Sequence, residues 1–320
     1  MSDTGGGHRA SAQALQAGFE ELFGDKYEVR HVLDIWTHYT PWPCNQAPKG
    51  YSFLIVPLRV LRQRIRNGLQ KAIQFATVVT DLTHCHNTWY YHRVDRCFVA
   101  TEASKRQALQ MGLQEEQIRL YGLPIRPAFS RKYPKKEVLR QQLGMDPDKP
   151  VVLLVGGGEG MGPVEATVDA LSKIVDCDFQ TVVVCGRNRK LQGKLNKRAY
   201  PPNMIPHIMG FVNNMPEYMF ASDIIITKAG PGTISEALIC GLPMILNGYI
   251  PCQEEANVPY VLENGVGVFE RKPALVAATV KSWFTDKASE RQAMAARCKA
   301  LGHPAALFNI VRELAQMVVP

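Results

Sequence analysis

The sequence predicts an α/β protein with parallel sheets, divided into two domains. From residue 151 onward, continuous apolar strands alternate with helices, which is typical of a parallel sheet covered on both faces. Three glycine-rich segments each precede a predicted helix, namely SDTGGGH at 2–8, GGGEGMG at 156–162 and AGPGT at 229–233. The length of 320 residues is enough for two hydrophobic cores. Because glycine lets a backbone approach a phosphate and a helix start presents free amide hydrogens, these segments indicate a nucleotide bound between the domains.

Composition narrows the class of protein. The net charge of +8 and the isoelectric point near 9.0 suit an anionic partner, whether a nucleotide, a nucleic acid or an acidic membrane surface. The eight cysteines include no CxxC pair, which favours buried, reduced thiols. No apolar run approaches the ~20 residues of a membrane span, and the start does not read as a signal peptide. We therefore expect any membrane contact to be peripheral.

The first domain is predicted over residues 1–130. A phosphate-binding glycine loop normally follows a buried strand, and only Met1 precedes SDTGGGH, so we expect a first strand and a targeting peptide to be missing here. Hydrophobic spacing and proline positions predict the remaining elements. These are a helix at 10–23, a strand at 27–35, an irregular stretch at 40–48, a basic helix at 56–71, strands at 75–80 and 97–100, a helix at 101–111 and a strand at 118–121.

The second domain is predicted over 131–302, and residues 303–320 are predicted to form a last helix that packs back on the first domain. A charged, proline-containing stretch at 131–150 holds one short helix. Beyond it the pattern predicts strands at 151–155, 181–185, 205–210, 223–227 and 243–246, and helices at 163–174, 214–221 and 233–240.

Several segments carry a family resemblance: SDTGGGHRASA, TPWP, VVTDLTHCHNTW, YGLPIRP, GGGEGMGPVEAT, CGRN, TKAGPGTISEA and NGYIPCQEEANVPYV. With them the chain resembles, over nearly its whole length, the monogalactosyldiacylglycerol synthases of plants and algae in glycosyltransferase family 28. The same segments relate it to the peptidoglycan glycosyltransferase that adds N-acetylglucosamine and to bacterial diacylglycerol glucosyltransferases. The resemblance implies a GT-B fold, with two Rossmann-like domains facing across a cleft. It differs from the family pattern near Ile55 and Val56, where a longer insert is expected, so the first domain is shortened.

The resemblance also implies a reaction. This is inverting transfer of galactose from UDP-galactose to the sn-3 hydroxyl of 1,2-diacylglycerol, without a metal or another cofactor, at the plastid (chloroplast) envelope. Two alternatives stay open. One is another UDP-sugar-dependent lipid glycosyltransferase, such as a diacylglycerol glucosyltransferase or a lipid-linked N-acetylglucosaminyltransferase. The other is a non-catalytic relic that binds nucleotide or lipid.

The donor diphosphate is predicted to bind two glycine loops at the carboxyl edge of the second sheet. The predicted residues are Gly158, Glu159, Gly160, Met161, Gly230, Pro231, Gly232 and Thr233. A plain strand–turn–helix connection is the alternative for each loop. Glu236, one turn into the following helix, is expected to accept from the ribose hydroxyls; a carboxylate that complements the helix dipole is the alternative.

Other residues are predicted to recognise the sugar and the base. Gln253 and Glu254 follow a buried strand and are expected to read the hydroxyl that distinguishes galactose from glucose, with a solvated loop as the alternative. Arg187 is a candidate for a phosphate or hydroxyl contact, with an ordinary surface arginine nearly as plausible. The resemblance places Phe211 and Val212 around the uracil.

The catalytic base is predicted to be His8, at the end of the first glycine turn, because imidazole titrates near neutrality. A capping histidine is the alternative. Asp81 is expected to orient that ring or to accept from the glycerol hydroxyl, with a helix-capping role as the alternative. No metal site is predicted: the paired aspartates at 146/148 and 176/178 read as solvated surface, and HCH at 84–86 lacks further ligands at zinc spacing.

The residues predicted to bind the acceptor and the membrane follow from the resemblance and from the charge of the chain. The resemblance assigns Gly6, Gly7, Pro43 and Trp89 to acceptor or lipid binding, and it implies activation by an anionic lipid such as phosphatidylglycerol. An exposed Trp89 would partition into a headgroup region. The arginines at 59, 62, 64 and 66 would add attraction to an anionic surface, with a solvated helix face as the alternative. No nucleic-acid partner is predicted, and a homodimer is left open.

Overall fold

The structure is a computed structural model that describes residues 6–26, 74–83, 85, 87–157, 162–251 and 253–318, with the backbone alone at 6–8, 88 and 318. Several predicted features lie outside this part of the chain. They are the strand at 27–35, the stretch at 40–48 with Pro43, the basic helix at 56–71, the two histidines at 84 and 86, and Gly158, Glu159, Gly160 and Met161.

Contacts divide the chain into two compact units. The N-terminal unit comprises Met1–Pro127 with Ala305–Pro320, and the C-terminal unit comprises Ala128–Pro304. The boundaries predicted from the sequence lie after residues 130 and 302 instead. The last helix is assigned by contacts to the unit formed by the first part of the chain.

The described part of the N-terminal unit holds a three-stranded parallel sheet in the order β1-β2-β3. Its elements before residue 127 are α1 (Gly6–Phe23), β1 (Ala76–Val78), β2 (Arg96–Val99), α2 (Glu102–Gln110) and β3 (Ile118–Leu120), with 3-10 turns at Asn87–Trp89 and Glu115–Gln117. Thr101 caps α2, since its hydroxyl accepts from the Ser104 amide. A buried cluster that includes Val79, Val94 and Val99 covers the sheet.

The C-terminal unit opens with the 3-10 turn Pro127–Ser130, shared at the boundary, and with α3 (Lys136–Gln142). Its strands are β4 (Val151–Val155), β5 (Phe179–Val184), β6 (Met204–Met209), β7 (Ile224–Lys228), β8 (Met244–Gly248) and β9 (Gly267–Phe269). Its other helices are α4 (Val164–Leu171), α5 (Arg189–Asn196), α6 (Met215–Ala221), α7 (Pro231–Cys240), α8 (Asn257–Glu263), α9 (Pro273–Phe284) and α10 (Ala288–Leu301).

The six strands form one parallel sheet in the order β6-β5-β4-β7-β8-β9. The chain builds outward from β4 through β5 and β6, and then returns to the other side of β4 with β7. Open α/β sheets bind ligands at the carboxyl ends of the strands where this reversal occurs. The topology therefore predicts a ligand site at the carboxyl ends of β4 and β7.

A charged cluster at the opposite edge of the sheet fastens the C-terminal unit together. Asp223, directly before β7, accepts from Arg140 Nη2 at 2.6 Å, from the Val151 amide at 2.9 Å and from Lys136 Nζ at 3.1 Å. Arg291 Nη1 lies 3.7 Å from the same carboxylate. Burial lowers the pKa of Lys136, while Asp223 opposes that shift. One carboxylate thus joins α3, β4 and α10.

The final helix, α11 (Ala306–Val318), packs on α1 within the N-terminal unit. Leu307 and Val311 are buried against Ala14, and a methyl group on Gly18 would lie 3.1 Å from Val311 Cγ2. Glu313 also fastens this helix to the sheet, accepting from Arg96 Nε and Tyr121 Oη, each at 2.8 Å.

Candidate functional site

The loop after β4 begins at the edge of the sheet that the topology singles out. Gly156 continues the strand pairing, its amide donating to the Val184 carbonyl at 3.2 Å. Gly157 has φ of +71° and Gly162 has φ of +96°, both in the left-handed region that favours glycine. The helix α4 then starts at Val164. The four predicted diphosphate residues between these glycines lie outside the described part of the chain.

The loop after β7 leads directly into α7. Gly230 is the residue before the helix, and Pro231 and Gly232 are its first two residues. Proline suits this first position because its missing amide hydrogen would have no partner within the helix. Thr233 and Glu236 follow in the first two turns, both half-buried. The amides of this first turn have no acceptor within the ten-residue helix, because the helix begins here. Such a helix start suits an anion.

An ion pair that the sequence analysis missed lies beside both loops. Lys228, the last residue of β7, pairs through Nζ with Glu254 Oε1. A methyl group on Gly157 would lie 3.9 Å from Lys228 Cε, and one on Gly230 would lie 3.3 Å from Lys228 Nζ. The sequence does hold a signal for Lys228, since a basic residue stands at the carboxyl end of a strand that leads into a glycine loop.

The turn after β8 carries both residues predicted to recognise the sugar, and they differ in exposure. Gln253 is exposed, as a sugar-reading residue must be, but Glu254 is only 6% exposed. Both oxygens of Glu254 have partners, since Oε1 pairs with Lys228 and Oε2 accepts from the Ile250 amide at 2.9 Å. Asn257 then fastens this turn to the loop after β7, its side-chain amide donating to the Ala229 carbonyl at 3.0 Å. Asn257 was not among the residues predicted from the sequence.

The predicted base-binding residues, Phe211 and Val212, lie in the loop after β6. Phe211 follows β6 and is 59% exposed, and the guanidinium of Arg187 lies 5.6 Å from the centre of its ring. Gly186, with φ of +57°, makes the turn that brings Arg187 over this ring. Val212 is half-buried. Arg187 and Phe211 therefore pack together at the carboxyl ends of β5 and β6, and β5 pairs with β4.

The predicted acceptor residues of the N-terminal unit are described only in part. Gly6, Gly7 and His8 form the first turn of α1, four residues earlier than the predicted helix start at Ala10. Asp81 follows β1 and is half-buried, and its backbone carbonyl accepts from Ser104 Oγ at 3.2 Å. Trp89 is half-buried and packs against the core of this unit. Trp89 is therefore only partly exposed, and its assignment to acceptor or lipid binding stays a prediction.

Within the described ranges, no group of three or more histidine, cysteine, aspartate or glutamate side chains is placed to hold a metal ion. The described cysteines are free thiols, and five of the six are buried. Burial raises the pKa of Cys85 and Cys298 to about 12, so these thiols are protonated at neutral pH.

Comparison with solved structures shows the fold. MurG of Acinetobacter baumannii superposes with a TM-score of 0.58, covering 83% of this chain and 79% of that chain at 16% identity. The fold is that of the GT-B glycosyltransferases, as predicted. The model described as Glycosyltransferase family 28 C-terminal domain matches residues 151–299, which hold the six-stranded sheet and both glycine loops.

Sequence comparison shows the family. The model described as Monogalactosyldiacylglycerol (MGDG) synthase matches residues 52–125. The chain is 44% identical to the chloroplastic monogalactosyldiacylglycerol synthase of Spinacia oleracea, over 99% of this chain and 72% of that protein. It is 43% identical to the chloroplastic synthase 1 of Arabidopsis thaliana, over 99% and 70% respectively. The alignment with the spinach protein extends over 380 residues, against 320 in this chain, so the relative carries segments that this chain lacks. The chain belongs to the monogalactosyldiacylglycerol synthase family.

Proposed function

We propose that this protein transfers galactose from UDP-galactose to the sn-3 hydroxyl of 1,2-diacylglycerol, with inversion, to give monogalactosyldiacylglycerol. The observation that carries the proposal is the 44% identity over 99% of the chain to a protein named for this synthesis. Both sequence relatives described above are named monogalactosyldiacylglycerol synthases.

The geometry of the C-terminal unit supports a nucleotide-sugar donor. Two glycine loops and a helix start meet at the ends of adjacent parallel strands, where a diphosphate can accept from several backbone amides. Arg187 over the exposed ring of Phe211 supplies a planar apolar and cationic surface next to that position, suited to a uracil. Glu236, in the second turn of α7, remains our candidate for the ribose hydroxyls, and the exposed Gln253 for the galactose hydroxyls.

The transfer step requires a base and a stabilised leaving group. The bond between the anomeric carbon and the β-phosphate oxygen breaks, and its electron pair goes to that oxygen, so UDP departs with one more negative charge. The glycerol oxygen forms the new bond to the anomeric carbon, and its proton passes to a base, which we assign to His8. Asp81 is our candidate to orient this ring. The amides at the start of α7 would stabilise the departing charge, and the scheme uses no metal ion.

We also propose that the protein acts at the surface of the plastid envelope and that an anionic lipid such as phosphatidylglycerol activates it. The relatives are named chloroplastic, the net charge is +8, and the segment 56–71 holds four arginines at 59, 62, 64 and 66. None of the described helices combines the length and apolar character needed to cross a membrane.

Assembly as a homodimer would be tested by light scattering of the detergent-solubilised protein.

Product analysis tests the proposal. The purified protein is incubated with diacylglycerol in mixed micelles containing phosphatidylglycerol, and with UDP-galactose, UDP-glucose or UDP-N-acetylglucosamine in parallel. We expect a β-galactosyl lipid from UDP-galactose as the main product. A preference for another nucleotide sugar would favour one of the other lipid glycosyltransferases, and absence of product from all three would favour a non-catalytic relic.

The base assignment has its own control in the same assay. His8→Ala should lower kcat by at least about a hundredfold, the usual contribution of a positioned general base, while leaving UDP affinity unchanged. Equal turnover by His8→Ala and the unaltered protein would remove His8 from this role.

A further inference from the structure

The pair formed by Lys228 and Glu254 is built differently from a surface salt bridge. The Glu254 side chain is 8% exposed and the Lys228 side chain is 38% exposed, so the carboxylate is buried while the lysine keeps solvent-accessible surface. A buried carboxylate needs compensating partners, and the Lys228 ammonium and the Ile250 amide supply them. Lys228 ends β7 and Glu254 lies in the turn after β8, 26 positions apart in the chain. The pair therefore fixes an ammonium group in one place.

The ammonium retains capacity to bind something else. A lysine ammonium has three hydrogens to donate. Within the described part of the chain, Glu254 Oε1 is the side-chain partner found for Lys228 Nζ. Glycine stands at both 157 and 230, where an added Cβ would lie within 4 Å of the lysine side chain. A side chain at either position would occupy the space beside the ammonium.

The position matches where negative charge develops in the reaction. Lys228 ends β7, which is paired with β4, so its side chain lies between the glycine loop after β4 and the helix start of α7. These are the two elements to which the proposed function assigns the diphosphate. A fixed cation at this point would act in the transition state, when UDP gains charge.

We propose that Lys228 is a donor-binding and catalytic residue that contacts the diphosphate of the sugar nucleotide, and that Glu254 is the positioning residue that holds it there. The inference rests on the proposed function and deepens it. It gives Glu254 a role toward the phosphate rather than toward the galactose hydroxyls. Asn257, by fastening the turn that carries Glu254 to the loop after Lys228, completes the support.

Calorimetric titration of the full chain with UDP and with uridine tests the contact directly. Lys228→Gln should weaken UDP affinity by about tenfold, the size expected for one charge-assisted hydrogen bond, and leave uridine affinity unchanged. Lys228→Arg should retain most of the UDP affinity. Lys281→Gln is the matched control, because Lys281 is similarly exposed and also pairs with an acidic residue, Asp176. Unchanged UDP affinity in Lys228→Gln, or an equal loss for UDP and uridine, would overturn the inference.

A double-mutant cycle tests the positioning role of Glu254. If Glu254 acts through Lys228, Glu254→Gln should weaken UDP and UDP-galactose equally, and Lys228→Gln with Glu254→Gln should bind no worse than Lys228→Gln alone. The double variant also keeps a neutral pair of similar size, so it should fold even where Lys228→Gln alone leaves a buried charge unpaired. A loss confined to UDP-galactose would instead assign Glu254 to the sugar, and UDP binding by the double variant equal to that of the unaltered protein would exclude the lysine.

Turnover separates this inference from the proposed function. In the galactosyl-transfer assay, Lys228→Gln should lower kcat by at least about tenfold, because the leaving charge loses its cation. Calorimetry does not need turnover. Lys228-dependent UDP binding by a protein that makes no galactolipid would contradict the proposed function and support the inference. Galactolipid synthesis that is insensitive to Lys228→Gln would do the reverse.

Discussion

Asn257 donates a hydrogen bond from its side-chain amide to the carbonyl oxygen of Ala229 at 3.0 Å, and both residues are buried. This single bond joins the turn after β8 to the loop after β7, across 28 positions of sequence. It ties the turn that carries the buried Glu254 to the glycines at 230 and 232. We therefore expect this bond to support the proposed donor site.

Asn257→Ala should destabilise the protein and loosen the donor site. It leaves the Ala229 carbonyl buried without this donor, which costs about 1–3 kcal/mol of unfolding free energy. Urea denaturation and UDP titration would measure both effects. Asn264→Ala, which removes a local bond to the Tyr260 carbonyl in the same helix, is the control and should leave UDP affinity unchanged. Equal UDP affinity in Asn257→Ala and the unaltered protein would show that the bond does not support the site.

Asp223→Asn should cost stability without affecting nucleotide binding. The substitution leaves Arg140, whose side chain is 7% exposed, without its charged partner. Breaking a buried pair in this way costs about 3–5 kcal/mol. Chemical denaturation checks the loss, with Asp178→Asn as the control, because Asp178 is 64% exposed in its pair with Lys149. Since Asp223 lies at the amino-terminal edge of the sheet, a change in UDP affinity of the folded variant would contradict the assignment.

The protein should lose stability as pH rises from about 9 toward 11. Burial raises the pKa of Cys97 and Cys185 to about 11 and that of Cys298 to about 12, from a usual 9.0. In this window the unfolded chain releases thiol protons that the folded chain keeps, so the free energy of unfolding falls with rising pH. Denaturation under reducing conditions at several pH values measures the slope. Cys298→Ala should make it shallower, whereas an unchanged slope would mean that this thiol does not contribute.

Arg62→Glu combined with Arg66→Glu should release the protein from anionic vesicles. Each basic residue near an anionic surface contributes about 1 kcal/mol, so reversing two charges weakens binding strongly, and added salt should do the same. Cosedimentation with phosphatidylglycerol vesicles is the measurement. Lys132→Glu with Lys135→Glu makes the same change in net charge at two exposed positions of the C-terminal unit. If both double variants bind alike, the arginine segment is not the membrane contact.

The parallel fold was predictable where burial is uniform along a strand. The run VVLLV predicts β4 with its observed bounds, Val151–Val155. A continuous apolar run is typical of a strand buried on both faces, and every residue but the last is fully buried. In contrast, α5 was not predicted, because RKLQGKLN has only two leucines and therefore little helical periodicity of apolar residues. The helices α8, α9 and α10 and the three-residue β9 were also missed, since short or weakly amphipathic segments carry little periodic signal.

The glycine loops of the site were predictable, but the groups between them were not. Gly230 and Pro231 indicate a helix start from their own chemistry, and the structure places α7 there. Lys228 was not predicted because its role depends on the contact with Glu254. That contact forms because β7 and β8 are paired, while the two residues are 26 positions apart in sequence. Glu254 was predicted to face the sugar because a turn after a strand is usually open. Its burial follows from the bonds to Lys228 and Ile250, which no local pattern encodes.

Titration of UDP into the full protein in the presence of a chelator tests the central claim most directly, namely that backbone amides and Lys228 hold the diphosphate at the ends of β4 and β7. We expect UDP to bind with the same affinity with or without EDTA, and with about tenfold lower affinity in Lys228→Gln. Failure of UDP to bind, or binding only when a divalent cation is supplied, would contradict it.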